Sequence, residues 1–378
     1  MRSILPSEST TAAIVDAAGW LGFCAGLLLI LAAASSVIRT VIIARPTRSL
    51  ISTSVSRGIE GLLRRIARRL SSYTARDRLL TWVAPLEIVL TLLAWLGIFL
   101  LGYGLALNAG NRLDFGASMR EAGSSLFTLG FASSDRAQLT LIDFAAAATG
   151  PIVIGLMIGY LPTLYASYNR REVQVTLMHA RAGEPNWGPE LLMRAAMHDD
   201  LEDLPLLWIS WERWAADVSE SHSSYPPLIH TRSARASRHW WIALLAVMDA
   251  AALNISLRPG DPQATAKAVL RQGVECMAGL AEVERIKVPS LDGTPGELQL
   301  TFEEFTRTVD AMGTVGYRPE RGVREAWTQF RKWRSNYETM AYEMAERLNA
   351  VPAPWSGPRT PPTPVIWPQR SIFHSPGE

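Results

Sequence analysis

Three long runs of the chain carry no charged side chain. They extend from Ala17 to Ile38, from Ile88 to Gly110 and from Phe144 to Asn169, and contain 22, 23 and 26 residues. Because a helix rises about 1.5 Å per residue and the hydrocarbon core of a bilayer is about 30 Å thick, about 20 apolar residues are enough to cross it. The runs predict three transmembrane helices in a mainly α, polytopic membrane protein.

The first run is longer than the apolar part of a secretory signal peptide. The segment before it has only Arg2 against Glu8 and Asp16, whereas signal peptides begin with a positively charged region. Residues 1–44 are therefore expected to hold a retained transmembrane helix. This helix lacks the arginine ladder of a voltage sensor.

The distribution of arginines predicts the orientation. Between Arg39 and Arg78 the chain has ten arginines and only two acids, Glu60 and Asp77. Short loops rich in Lys and Arg stay in the cytoplasm. The N-terminus is therefore expected on the outer side of the plasma membrane, and the region after the third span is expected in the cytoplasm.

The basic loop, residues 45–79, also has the periodicity of an amphipathic helix. Its apolar residues recur every three or four positions, at Val55, Ile59, Leu62, Leu63, Ile66 and Leu70. The arginines between them are Arg64, Arg65, Arg68 and Arg69. The pattern favours a helix in the headgroup layer, with these arginines facing anionic lipid headgroups of the bilayer. The alternative is a helix packed on the protein with a solvated basic face.

The connection between the second and third spans is apolar in its middle and too short to cross the membrane and return. Residues 117–127 fit a short helix, followed by the sequence Thr128-Leu129-Gly130-Phe131-Ala132. Non-helical backbone at membrane depth must line water or be buried in protein, so this outline predicts a re-entrant pore loop. The alternative is a re-entrant or interfacial helix that serves only in packing.

The segment from Ser125 to Ala132, with Asp135 three residues later, resembles the filter of bacterial potassium channels, Thr-x-x-Thr-x-Gly-Tyr/Phe-Gly followed closely by Asp. The resemblance covers residues 80–170, as outer helix, pore helix, filter and inner helix. It implies that the carbonyls of Thr128, Leu129, Gly130 and Phe131 and the Thr128 hydroxyl replace the water shell of a permeating K⁺. Ser125 and Asp135 would lie at the pore helix and the mouth.

Two departures from the family pattern bear on selectivity. Ala132 stands where the family has its second glycine, and a Cβ penalises left-handed backbone by about 1–2 kcal/mol. Asp135 is displaced by two positions.

The third span offers candidates for a gate. Gly155 and Gly159 are spaced for close helix packing, and Pro162 removes a backbone hydrogen bond near the inner end, where a kink is expected. The chain has one pore loop and a closed filter needs four, so the resemblance implies a homotetramer.

Residues 171–350 read as an all-helical cytoplasmic domain, and its last predicted helix runs from Arg321 to Leu348. Trp240–Ile255 is strongly apolar but short and contains Asp249, which indicates a buried core helix. Arg232, Arg235 and Arg238 precede it, either as a plain basic loop or as a site for an anion. Residues 351–378 contain eight prolines and are expected to be a disordered or extended tail.

The sequence is compatible with two functions. The first is a passive cation channel, with potassium as the expected ion, formed by four subunits and gated through the helical domain. The second is a membrane-anchored signalling or scaffold protein whose helical domain binds a cytoplasmic ligand or protein. Catalytic motifs, a paired cysteine framework and nucleotide-binding glycine patterns are all missing, so no enzyme, cofactor, metal or nucleic-acid partner is predicted.

Overall fold

In the computed structural model, which describes residues 8–43, 49–111, 114–133, 136–286 and 298–359, every regular element is a helix. The prediction of a mainly α protein is confirmed. The α-helices are α1 Glu8–Val37, α2 Leu50–Ala67, α3 Tyr73–Leu80, α4 Val83–Asn111, α5 Phe115–Leu126, α6 Ala137–Ala182, α7 Gly188–Met197, α8 Leu204–Ser224, α9 Trp240–Leu257, α10 Ala264–Val283, α11 Phe302–Thr314, α12 Val323–Arg334 and α13 Glu338–Arg347.

Within the described parts of the chain, four helical stretches are long and apolar enough to cross a membrane, which is compatible with a multi-pass membrane protein. They are Gly19–Ile42, Tyr73–Ala109, Leu139–Ala182 and Trp240–Leu257. The first three overlap the charge-free runs of the sequence. The fourth is α9, and all of its residues are buried among other helices of the protein. This burial agrees with the sequence-based assignment of α9 to a protein core.

The chain divides into two compact units. The first contains Met1–Leu63 and Val83–Leu164, and the second contains Arg64–Trp82 and Tyr165–Glu378. The sequence pattern places the corresponding boundaries at residues 79/80 and 170/171. Residues 64–82 belong to the second unit because it supplies their polar partners. Asp77 pairs with Arg232 at 2.8 Å, and the Tyr73 hydroxyl donates to the Asn349 carbonyl at 3.4 Å.

In the first unit, α1 and α4 approach closely through glycines. A Cβ added to Gly26 would lie 2.5 Å from the Gly102 carbonyl oxygen, so only glycine fits there. Further along, the Trp95 indole N–H donates to the Ser36 hydroxyl at 2.8 Å. Small residues and one buried hydrogen bond therefore hold these two helices together, as is common between apolar helices.

In the second unit, α9 is the central helix, and α7, α8, α10, α12 and α13 pack around it. Its Asp249 and Asn254 side chains are paired inside the core. The Asp249 carboxylate contacts the Arg334 guanidinium and accepts from the Tyr337 hydroxyl at 2.8 Å. The Asn254 side-chain oxygen accepts from the Tyr317 hydroxyl at 3.0 Å. An entirely buried helix is stable here because these polar groups have partners.

The helix predicted over Arg321–Leu348 is broken in the structure. It forms α12 and α13 with a turn at residues 335–337 between them. The Asn336 side-chain amide donates to the carbonyls of Lys332 and Trp333 at 2.8 and 3.2 Å, which caps the end of α12. The turn also brings Tyr337 to Asp249, a contact distant in sequence that local periodicity does not reveal.

The first part of the predicted disordered tail, residues 351–359, is folded. Ala353, Trp355 and Ser356 are buried, and the Trp355 carbonyl accepts a hydrogen bond from Arg334 at 2.7 Å. Arg359 donates to the Ser356 carbonyl at 3.1 Å. The proline content indicated a disordered or extended tail. Residues 351–359 form no regular helix or strand, but Trp355 adds apolar area to the core. Residues 360–378 lie outside the described residues.

The basic loop before α9 is mostly engaged within the protein. Arg232 pairs with Asp77 and donates to the Leu348 carbonyl at 2.7 Å, and Arg238 forms an ion pair with Glu184. Only Arg235 is exposed among the three arginines. The hypothesis of an anion site on this loop is therefore not supported, because two of its three cations hold the unit together.

Glu284 gives the second unit a measurable dependence on acid. Burial opposes its ionisation, but hydrogen bonds and charges from His230 and Arg347 outweigh burial and hold its pKa at about 2. The folded pKa lies below the usual value of 4.5, so the stabilisation is complete above pH 4.5 and is lost as the pH falls toward 2.

We expect Glu284→Gln to lower the free energy of unfolding by about 3 kcal/mol at pH 5.5, from the size of this pKa shift. The deficit should shrink steadily between pH 4.5 and 2, measured by thermal or denaturant unfolding of the detergent-solubilised chain. The exposed Glu303→Gln is the control and should change stability little. A deficit that does not depend on pH would contradict the ion-pair account.

Candidate pore loop

The candidate site is the loop that follows α5. The helix ends at Leu126, and residues 127–133 are neither helix nor strand. The short helix and its end agree with the sequence pattern, which placed a helix over residues 117–127. The structure describes the site residues Ser125 and Thr128–Ala132. Asp135 lies outside the described residues.

Ser124, near the end of α5, anchors the loop. Its carbonyl oxygen accepts the backbone N–H of Leu129 at 2.8 Å and that of Gly130 at 3.4 Å. Its buried hydroxyl accepts the N–H of Ala132 at 3.0 Å. One serine therefore binds three of the loop's amides and turns the chain back toward the helix. Ser124 is not among the residues that the sequence pattern indicates, since a serine in a short helix carries no sign of this role.

The carbonyl oxygens of the loop have the opposite environment. Among the described residues, no hydrogen bond ends on the carbonyls of Thr128, Leu129, Gly130 or Phe131. The side chains of Leu129 and Phe131 are 62% and 58% exposed. The loop thus has the backbone N–H groups of Thr128, Leu129, Gly130 and Ala132 bound within the chain and leaves a run of acceptors open. Such a run is able to coordinate a cation, since cations bind carbonyl oxygens.

Two residues of the loop have left-handed backbone, with φ of +54° at Thr128 and +71° at Gly130. Glycine adopts this conformation without steric cost, whereas a β-branched threonine is strained there. Ala132 is not among the described residues of positive φ. The free-energy cost of left-handed backbone, which the sequence suggested for Ala132, is therefore found at Thr128. The Thr128 hydroxyl donates to the Phe127 carbonyl at 2.8 Å.

Two buried carboxyl groups stand behind the loop. The Ser125 hydroxyl donates to Asp143 of α6 at 2.7 Å, and the buried carboxyl group of Glu121 of α5 lies close to that of Asp143. Neither acid is among the site residues that the sequence pattern indicates. The available signal was an isolated acid at the start of the third charge-free run and another in the α5 helix.

The backbone of α6 touches the end of α5. A Cβ added to Gly150 would collide with the Leu126 carbonyl oxygen, so no larger residue fits. The Tyr103 hydroxyl of α4 lies 2.8 Å from the Thr149 hydroxyl of α6. These contacts fix α5 and the anchored end of the loop between α4 and α6.

The predicted gate residues lie on an open face of α6. Gly155, Gly159 and Pro162 are exposed, and a Cβ added to either glycine would meet no atom within 4 Å. Pro162 does not end the helix, which continues to Ala182. The small residues therefore leave one face of α6 unpartnered within the described part of a single chain.

The predicted lipid-facing arginines are divided by the end of α2. Arg64 and Arg65 lie in the last turn of the helix, while Arg68 and Arg69 follow it and are exposed. Leu62 and Ile66 are exposed as well. The apolar stripe is therefore split: Ile59 and Leu63 are buried, and the neighbouring apolar side chains face outward beside the arginines.

Comparison of the chain with protein-family models, with curated proteins and with solved structures gave no match.

Proposed function

We propose that the chain is one subunit of a passive cation channel, with potassium as the expected ion. The observation that carries the proposal is the loop after Leu126. Ser124 binds three of its amide N–H groups, while the carbonyls from Thr128 to Phe131 accept no hydrogen bond within the described chain. A permeating cation needs oxygens that replace its water, and fixed amides keep those oxygens from turning inward.

In the proposed arrangement α1, α4 and the first part of α6 cross the membrane, and α5 enters it part-way from outside. Large apolar side chains of the first unit are exposed on each of these three helices, for example Leu28, Leu93 and Ile158. Exposed apolar surface on this scale is expected where lipid covers a protein. Helix α9 needs no lipid, since the second unit already buries it.

Four copies would close the pore. Each chain has one loop, and the face of α6 with Gly155, Gly159 and Pro162 is left open for neighbouring copies or the pore axis. A small-residue face permits close approach of helices from other subunits. The exposed Leu129 and Phe131 side chains would pack in the assembly.

Gating is proposed to pass from the helical unit to α6 through Arg171. This arginine is fully buried and donates to the carbonyls of Leu228 and Thr231 at 2.9 and 3.0 Å. Its guanidinium also lies 3.1 Å from the His222 ring. The pKa of His222 is lowered mainly by burial and, to a smaller extent, by the charge of Arg171. A shift of the segment between α8 and α9 would therefore pull on α6.

The test is cation flux. Purified protein in liposomes is expected to pass potassium in a concentration-gradient assay, and cross-linking in detergent is expected to give a tetramer. If tetramers form but no monovalent cation passes at any voltage, the channel function is wrong. The membrane-anchored signalling or scaffold function would then stand, and deletion of residues 170–350 would remove the phenotype while changes in the loop would not.

Ser124→Ala tests the anchor of the loop. The substitution removes the acceptor for the Ala132 N–H but leaves the Ser124 carbonyl and the helix in place. We expect the potassium-to-sodium flux ratio to fall about tenfold, since one lost hydrogen bond to a buried group costs about 1–2 kcal/mol.

Ser118→Ala is the matched control for this experiment. Ser118 is on the same helix and fully buried, and its hydroxyl has no hydrogen-bond partner among the described residues. Its substitution is expected to leave the flux ratio unchanged. Equal effects of the two substitutions would show that Ser124 acts only through helix packing.

A further inference from the structure

We propose that the second unit holds a binding site for a small phosphate-bearing molecule, in a cavity between the end of α9, the start of α10 and α12. The cavity has a volume of about 410 Å³. This is within the range of small-molecule sites, which is roughly 300–1,000 Å³. The proposal concerns binding alone and stands whether or not the chain conducts ions.

The cavity concentrates a rare residue type. The whole chain has three lysines against 34 arginines, and two of them, Lys267 and Lys332, line this cavity. They come from different helices, α10 and α12. Lysine differs from arginine in offering a compact point charge with three donors, which suits a phosphoryl group. The presence of two lysines in one cavity of an arginine-rich protein indicates that the cavity requires the compact ammonium group of lysine.

The positive charge of the cavity is not neutralised from within the unit. Neither Lys267 nor Lys332 forms an ion pair with any residue that the structure describes. Arg321, the third cation, uses its Nε on Glu325 at 3.0 Å and one terminal nitrogen on the Ser256 carbonyl at 2.9 Å. No acid is among the described lining residues, so the cavity attracts an anion and repels a metal cation.

The neutral part of the lining indicates that the ligand is more than an inorganic ion. Gln329 supplies a side-chain amide. Gln263 and Asn336 supply amide oxygens, since their amide nitrogens already donate within the chain. Trp333 and Ile255 supply aromatic and aliphatic surface. Amides form hydrogen bonds with ring or hydroxyl groups, and an indole packs on a planar or apolar group. The expected ligand therefore carries at least two negative charges on phosphate and an organic part of moderate size.

A phosphate monoester or diphosphate fits this charge better than a simple carboxylate. Its second ionisation occurs near pH 6, so it carries nearly two charges at about pH 7 on closely spaced oxygens. The source is either a soluble phosphorylated metabolite or the headgroup of a phosphorylated lipid. Both present the same phosphoryl chemistry to the lysines.

The test is isothermal titration calorimetry on the full-length protein in detergent. Dissociation constants are measured for three probes: pyrophosphate, a nucleoside diphosphate and a soluble inositol phosphate. We expect micromolar affinity for one of the two organic probes and at least tenfold weaker binding of pyrophosphate. Tighter binding of the nucleoside diphosphate assigns a soluble metabolite, and tighter binding of the inositol phosphate assigns a lipid headgroup.

Three variants make the result specific. Lys267→Gln and Lys332→Gln should each weaken binding about tenfold, and raised salt should weaken it further. Arg271→Gln removes the same charge one turn further along α10, outside the cavity lining, and should change affinity less than twofold. Millimolar or absent binding of all three probes would overturn the proposal, as would equal losses in the lysine variants and the Arg271 variant.

Discussion

Replacing Gly130 with alanine is expected to reduce potassium flux at least tenfold while the protein still folds and assembles. Gly130 has a φ of +71°, a conformation that costs an L-residue about 1–2 kcal/mol. A Cβ at this position would meet no atom within 4 Å, so the effect comes from backbone conformation and not from a clash. The alanine variant should relax toward negative φ and turn the neighbouring carbonyl oxygens out of line.

The matched control is Gly97→Ala. Gly97 lies within α4 of the same unit and has helical backbone, and a Cβ added to it would also meet no atom within 4 Å. Alanine at a helical glycine usually stabilises slightly, so flux should be unchanged. The measurement is flux per tetramer in liposomes, with tetramer content determined by cross-linking. Normal potassium flux in Gly130→Ala would show that this loop does not line the permeation path, which would contradict the proposed channel function.

Removing the buried charge of Arg334 is expected to be the most damaging single change to the second unit. The guanidinium is fully buried and contacts Asp249 and Glu338, whose side chains are also almost inaccessible. It further donates to the Tyr342 hydroxyl at 2.9 Å and to the Trp355 carbonyl at 2.7 Å. One side chain thus joins α9, α12, α13 and the segment after α13.

Arg334→Met should cost about 3–5 kcal/mol, because it leaves two buried carboxyl groups without their cation. Burial already raises the pKa of Asp249, and without Arg334 this pKa should rise further. An acid with a folded pKa above its unfolded pKa loses stability as the pH rises. The deficit of the variant should therefore be larger at about pH 8 than at about pH 5.

Thermal unfolding of the full chain in detergent measures this effect. Arg331→Met, one turn earlier on α12 and only half-buried, is the control and should change the midpoint by about 2 °C or less. Adding Asp249→Asn to the Arg334 variant should recover part of the loss, since it removes one unpaired charge. A small effect of Arg334→Met, or no recovery in the double variant, would show that the ion pair is not the cause.

The local features of the site were accessible from the sequence. The end of α5 near Leu126, the non-helical loop and the left-handed Gly130 follow from helix length, glycine chemistry and the apolar context. The supporting residues were not accessible in this way. Ser124, Asp143 and Gly150 act through contacts with chain segments 8 to 24 positions away, and a residue type alone does not indicate such a contact.

For the protein as a whole, the sequence by itself determined the helical class, the three charge-free helices and the buried character of α9, because periodicity and composition act over one or two turns of a helix. Only the tertiary structure decided that residues 64–82 join the second unit, that α12 ends before Tyr337, and that Trp355 belongs to a core. Those outcomes depend on partners for buried polar groups such as Asp77 and Asp249. The geometry of the packed helices determines which partners meet, and the periodicity of the sequence does not indicate them.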